Sequence, residues 1–544
     1  MTEGAGDSPG GAAPTPPGFE LESPDVGAVP GPRIRLLNGE EYRATIADLL
    51  GVDASPAVAH FERGSGYTTG AEGKIDENLF ATFLIEAERL AQAYVAGPIG
   101  DDYACFRREE ITDDCMSELI ADLGLRAYRR PLSDEEATGL LVLFRDIAET
   151  TSDRVLAAES LVARLLSSIH FLHRTEIGAR NGDHSFLTPY ERASLLSFAV
   201  IGSTPDDELL RAAAEDTLDE SGIRFQVQRL LATPRGQDRL EGFLRQWLRV
   251  EVLADMASDP ESFPKLETPE QGAGLEREFR AYVESTVFDG PGTLQSFLTS
   301  DYTFVNQHTA SLYGADQSGN QMNRLAFDEP RRGVLGLASV MAAHASVGDP
   351  DKDRPVIRGL LIKNQFVCEE VGLPAGINTA DAAMMVTDDL DEFDTLTTRE
   401  QFEAIMNQDQ QCQDCHVQFM PFGFLFGHFD ALGRFRTEKG PRNIDTNVDS
   451  VVMNNEARAF TDHLALIDEL SSSDVVAQCF ARHLSAYIVG TAEVDIIDGL
   501  SATLQANEQD HQGEIQLQLE TLFASPRMYE RSWDEALLAD SEAP

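Results

Sequence analysis

The stretch QQCQDCHVQFMPFG, residues 410–423, sets Cys412 and Cys415 three apart with His416 directly after the second thiol. On a helix, positions i and i+3 share a face, so both thiols can reach the two vinyl groups of one haem while the adjacent imidazole meets the iron. Two rival readings have less behind them. A structural zinc site needs two further close ligands. No second C-x-x-C exists, although Cys479 and His483, four apart, would complete a Cys3His set if the two segments met. A redox dithiol belongs after a strand in a βαβ unit, and the surroundings here read as helix. The expected site is one covalent haem c on Cys412 and Cys415, with His416 as the iron ligand and no catalytic residue assigned.

The opposite face of that iron is open to several candidates: Met341, His344, His428, Met453, His463 and His483. Met420 follows His416 by only four residues, too close to reach the far face. Arg434 and Arg436 are candidates to pair with the propionates, because guanidinium matches carboxylate geometry.

Outward from this stretch the pattern is helical. Thr397 and Glu400 cap the helix that leads into it. Asn38 with Glu41, and Ser133 with Glu136, form capping-box pairs, and Gly51 ends the first of these helices. Thr188-Pro189-x-Glu191 and Thr204-Pro205-Asp206-Asp207 read as starts with proline at the first helical position. Residues 77–97 place Leu79, Phe80, Phe83, Leu84, Ala87, Leu90, Ala91 and Tyr94 on one face. Period-2 strand runs are scarce. The expected fold is predominantly α, in several small helical domains with a C-terminal c-type cytochrome-like haem segment. Composition shifts divide the chain into a Gly/Pro-rich tail (1–32), an N-terminal helical domain (33–100), a short helical domain with YRRPL (101–150), a central helical domain (151–325), a haem-binding domain (326–445) and a C-terminal helical domain (446–544).

The 544 residues carry 92 acidic and 43 basic side chains, a net charge of −49, with only five lysines. Such a surface repels phosphates, so nucleic acid is an unexpected partner. It suits either a high-salt medium or plain acidic solubility. No run of apolar residues is long enough for a transmembrane helix. Beyond the C-x-x-C-H pair four cysteines remain, and pairing Cys105 with Cys115 and Cys368 with Cys479 implies an oxidising compartment. The first 33 residues hold neither a basic nor an apolar signal region, so an export signal is expected upstream of this start or already removed. Two further motif matches fail. Gly6-Asp-Ser-Pro-Gly10 fits the nucleophile-elbow pattern but lies in the tail. Asp349, Asp351 and Asp353 begin like a calcium loop, yet Arg354 and Leu360 occupy the positions that need Gly and Glu.

The segment CQDCHVQFMPFGFLFGHFDALGRFRTEKGPRNID (412–445) resembles the haem segment of the planctomycete-type cytochrome c family. The shared run is C-x-x-C-H, then Pro421-Phe422-Gly423-Phe424, then Phe429-Asp430-Ala431-Leu432-Gly433-Arg434-Phe435-Arg436, then Ile444-Asp445. It departs at Met420, where the family usually has Asp, and at Arg354, which replaces a serine in an S-P-x-x-R-G run. LGLRAYRRPLSDEE (123–136), YTFVNQHTASLYG (302–314) and CFARHLSAYIVG (479–490) extend the resemblance. It implies an exported, mostly helical protein with covalent haem and no assigned reaction. The leading expectation is an extracytoplasmic mono-haem c-type cytochrome, periplasmic or at the cell surface, that passes electrons to a redox partner not readable from the sequence. The alternatives are a haem oxidoreductase with an open sixth position and a non-haem scaffold stapled by zinc.

Overall fold

A computed structural model describes residues 28–55, 67–69, 75–97, 111–345, 353–369, 371, 396–406, 410–507 and 513–533, with Gln411 and Cys412 by their backbone alone. The fold is predominantly helical, with only short two- and three-stranded sheets. Gly6–Gly10, Asp349 and Asp351 lie outside the described residues. The chain forms two compact units.

The first unit comprises Met1–Arg239, Ser485–Asn507 and Leu519–Pro544. Its core is a bundle of helices Gly39–Leu50, Glu77–Ala96, Asp113–Tyr128, Asp134–Thr151 and Arg154–Leu166. The capping boxes at Asn38/Glu41, Ser133/Glu136 and Thr188/Glu191 all form, and Gly51 closes the first helix at φ 61°. Two expectations are corrected. Phe80 and Leu84 are 43% and 39% exposed, while Glu86 is buried and pairs with Arg89. The helix after Thr204 starts at Asp207, because the Asp206 carboxylate accepts from Leu209 N and so caps it in place of Thr204, leaving Pro205 just outside the helix.

The YRRPL run is structural. Arg129 adopts φ 59° at the end of Asp113–Tyr128. Its buried guanidinium donates to the carbonyls of His170, Phe171 and His173 and lies over the Phe198 ring. Arg130 forms a two-bond pair with Glu136. Strand Arg33–Leu36 runs antiparallel to His173–Glu176, and Arg33 and Arg531 converge on the buried Glu176.

The second unit comprises Leu240–Leu484 and Glu508–Gln518. Trp247 is fully buried; its indole N–H donates to Gln365 O at 2.9 Å, and its rings pack 4.9 Å from both Phe366 and Phe480. Helix Pro269–Val283 carries Glu278, which has no exposure yet accepts from Thr303 Oγ1, Tyr313 OH and Ser339 N. Burial raises its pKa, and those hydrogen bonds limit the rise.

Helices Pro355–Leu361 and Met420–Phe424 touch backbone to backbone. A Cβ on Gly359 would stand 2.1 Å from Phe419 O, and one on Gly423 1.9 Å from Pro355 O, so only glycine permits this approach. Arg358 closes the same region, donating to the carbonyls of Phe426, Phe429 and Asp430.

Candidate haem site

Cys412 and Cys415 lie on helix Gln410–His416, and His416 is its last residue. Thr397 and Glu400 cap the preceding helix Thr398–Met406 reciprocally. Cys415 and His416 are half-buried, and Val417 beside them is 57% exposed, an apolar surface facing outward at the motif.

The imidazole of His416 is oriented from behind. Its Nδ1 lies 2.9 Å from the Sδ of the fully buried Met420, and the Phe419 ring is 5.2 Å away. A thioether only accepts, so Nδ1 carries the proton and Nε2 the lone pair. Nε2 has no hydrogen-bond partner among the described residues. Burial lowers the pKa of His416, which favours the neutral ring that a metal ligand must be. A helix that presents two thiol positions, an adjacent imidazole whose Nε2 keeps its lone pair and an exposed apolar neighbour fits covalent haem c.

The loop after the motif is built around Asp430. Its Oδ1 accepts from Leu432 N and Arg434 N, both at 2.9 Å, and its Oδ2 accepts from Arg434 Nε at 2.8 Å. Gly433 takes φ 81° against Ala338. Both propionate candidates are engaged by protein carboxylates: Arg434 with Asp430 and Glu267, Arg436 with Asp353.

Met420 sits on the Nδ1 side of His416, behind the ring, in keeping with its exclusion as the far ligand. His344 bonds Val340 O, His428 meets Ile444 O, His463 bonds Pro330 O, and His483 meets Asn364 O. Met341 is buried in helix Ala338–Ala343. Met453 is buried on strand Val448–Met453, which packs against helix Met420–Phe424.

The expected disulfide Cys368–Cys479 is present, with its Cα atoms 5.4 Å apart. Cys115 is also disulfide-bonded; its expected partner, Cys105, lies outside the described residues. Cys479 is thereby withdrawn from the Cys3His set that would have stapled it to the C-x-x-C-H segment. Sequence reasoning missed Lys265, which is 2% exposed and donates to Ala342 O at 2.6 Å; burial brings its pKa down to about 8. No local pattern marks that lysine.

Three family models match the chain. Residues 187–315 match PSD4, "Protein of unknown function (DUF1592)"; residues 331–439 match PSCyt3, "Protein of unknown function (DUF1588)"; and residues 115–176 match PSD5, "Protein of unknown function (DUF1595)". The second of these spans contains Cys412, Cys415, His416, Gly359, Gly423 and Asp430. No curated protein and no solved structure matches.

Proposed function

The chain belongs to the planctomycete-type cytochrome c family, and from that premise we propose that it is an exported mono-haem c-type cytochrome that transfers electrons. Haem c is joined to Cys412 and Cys415 and ligated by His416. When bound, the group supplies a one-electron carrier whose potential follows its ligands and burial. The chain's own part is orientation. Met420 holds the Nδ1 proton of His416, Phe419 flanks the ring, and the Gly359–Gly423 contact holds the following helix in place.

The observation that carries this reading is the His416 imidazole, which ends the C-x-x-C-H helix with Nδ1 against Met420 and so keeps its lone pair on Nε2. The Cys368–Cys479 disulfide supports an oxidising, extracytoplasmic compartment. Among the described residues no helix is long and apolar enough to cross a membrane, which is compatible with an exported chain.

The test is expression with a c-type maturation system in a bacterial periplasm, followed by a haem stain on a denaturing gel and a reduced-minus-oxidised spectrum. One haem per chain, lost in C412S and C415S, is expected. A colourless, stain-negative protein overturns the proposal.

A second reading, a haem oxidoreductase with an open sixth position, draws support from the four candidate histidines, each of which has a ring nitrogen at a backbone carbonyl. Carbon monoxide added to the reduced protein separates the two. A shifted Soret band favours the open position, and an unchanged spectrum favours a second protein ligand.

A further inference from the structure

Away from the haem motif, Cys368, Cys479 and His483 place three ligand atoms within 4.8 Å of one another. We propose that this cluster is a redox-gated metal site: once a dithiol reduces the Cys368–Cys479 disulfide, the two sulfurs and His483 Nε2 bind one zinc(II).

The backbone brings the three groups together from two directions. Cys479 and His483, four apart on helix Asp474–Val489, share one face. Cys368 arrives from the other side. The chain leaves the π-turn Ile362–Phe366 and passes through Cys368 at φ 54°, a left-handed conformation uncommon for a residue with a side chain. π-turns and such backbone outliers concentrate at functional sites.

The distances suit zinc. With Zn–S of about 2.3 Å and Zn–N of about 2.05 Å, a tetrahedron has an N···S edge of roughly 3.6 Å and an S···S edge of roughly 3.8 Å. His483 Nε2 already lies 3.7 Å from Cys368 Sγ. The S···S edge has to open, and reduction releases that bond; all three ligand atoms already lie within 4.8 Å of one another. Cys479 is buried, whereas Cys368 and His483 are half-buried. His483 Nε2 lies 3.2 Å from Asn364 O and donates to it, so zinc takes the place of that hydrogen bond and the ring proton passes to Nδ1.

The chemistry balances. The dithiol passes two electrons and two protons to the disulfide, becoming a disulfide itself and leaving two thiols. Zinc(II) then displaces both thiol protons to solvent, and the imidazole binds through Nε2 once its proton has passed by way of solvent to Nδ1, with no net proton release from the ring.

The test uses the full chain carrying C105S, C115S, C412S and C415S, so that neither the C-x-x-C-H thiols nor the thiols freed from the Cys115 disulfide compete. The protein is reduced with dithiothreitol, desalted without oxygen and titrated with zinc(II) against a chromophoric chelator. Cobalt(II) serves as the spectroscopic probe for thiolate ligation. One equivalent bound by the reduced protein and none by the oxidised protein is expected. H483A, which leaves the disulfide intact, should weaken binding by at least ~10-fold. No stoichiometric uptake after reduction overturns the site. So does cobalt without thiolate charge-transfer bands, or equal affinity in H483A. Uptake by the oxidised protein overturns the gating. A circular-dichroism melt of H483A like that of its parent shows that the comparison is between folded proteins.

Discussion

The imidazole of His416 and the thioether of Met420 touch, Nδ1 to Sδ at 2.9 Å, with Met420 wholly buried behind the ring. A neutral thioether is a weak acceptor, so it orients the imidazole without adding to its electron donation. A carboxylate at the same place would draw the Nδ1 proton strongly, strengthen the ligand and favour ferric iron. M420D is therefore expected to lower the midpoint potential relative to both the native protein and M420L in a spectroelectrochemical titration. A potential in M420D equal to or above that of M420L would show that residue 420 does not act through the ring.

Gly359 and Gly423 tie the motif to the rest of its unit. An added methyl at either position would meet a backbone carbonyl oxygen at 2.1 or 1.9 Å, and neither partner is the flexible end of a side chain. G359A and G423A should each cost about 1–3 kcal/mol or more, as overpacking does. The expected readouts are a lower urea midpoint and a lower yield of haem-loaded protein. A midpoint within experimental scatter of the native one in both variants would refute the close backbone contact.

Such tertiary contacts mark where sequence reading stopped. The capping boxes at Asn38/Glu41, Ser133/Glu136 and Thr188/Glu191 were legible because each is complete within four residues. Pro205 misled because two capping residues, Thr204 and Asp206, compete there and only the Asp206–Leu209 bond decides. Phe80 and Leu84 joined the apolar face of their helix by spacing, but which stripe is covered depends on the helices that pack on it. The Cys368–Cys479 bridge followed from counting cysteines. The addition of His483 did not, because it needs the π-turn and the left-handed Cys368. Arg129 and Arg358, each binding three or more carbonyls, looked like ordinary charges in the sequence, since nothing local announces a buried guanidinium used as a staple.

Acid should destabilise the fold in a defined window. Burial pulls the pKa of His344 from 6.5 to about 4, against a hydrogen bond to Val340 O and beside the charges of Arg358 and Lys265. It does the same for His463, which faces Pro330 O, Asp462, His428 and Arg331. Unfolded imidazoles titrate near 6.5, so between there and pH 4 the unfolded chain binds more protons than the folded one. The contribution is complete above pH 6.5 and declines as the pH falls toward 4, by up to roughly 3 kcal/mol per histidine. Urea midpoints at pH 7.5, 5.5 and 4.5 should fall in that order, and less steeply in H344Q and H463Q. A flat profile in the native protein would mean that neither imidazole is held neutral by burial.

The Cys368–Cys479 bridge closes a loop of 111 residues that includes the haem motif and the strand pair Val448–Met453 and Glu456–Phe460. Cross-linking so distant a pair removes much of the freedom of the unfolded chain, an effect of about 4–5 kcal/mol on the chain-entropy estimate for a loop of this length. Reduction without metal should therefore lower the thermal midpoint markedly, and zinc added to the reduced protein should restore part of it by binding the folded form alone. A calorimetric scan of oxidised, reduced and reduced-plus-zinc protein, all in a C105S/C115S/C412S/C415S background that leaves Cys368–Cys479 as the bond to cut, measures both effects. If reduction leaves the midpoint unchanged, the bridge does not constrain the unfolded chain. If zinc restores nothing after a large drop, the thiols and His483 do not meet once the bond is cut, so the cluster's geometry depends on the disulfide.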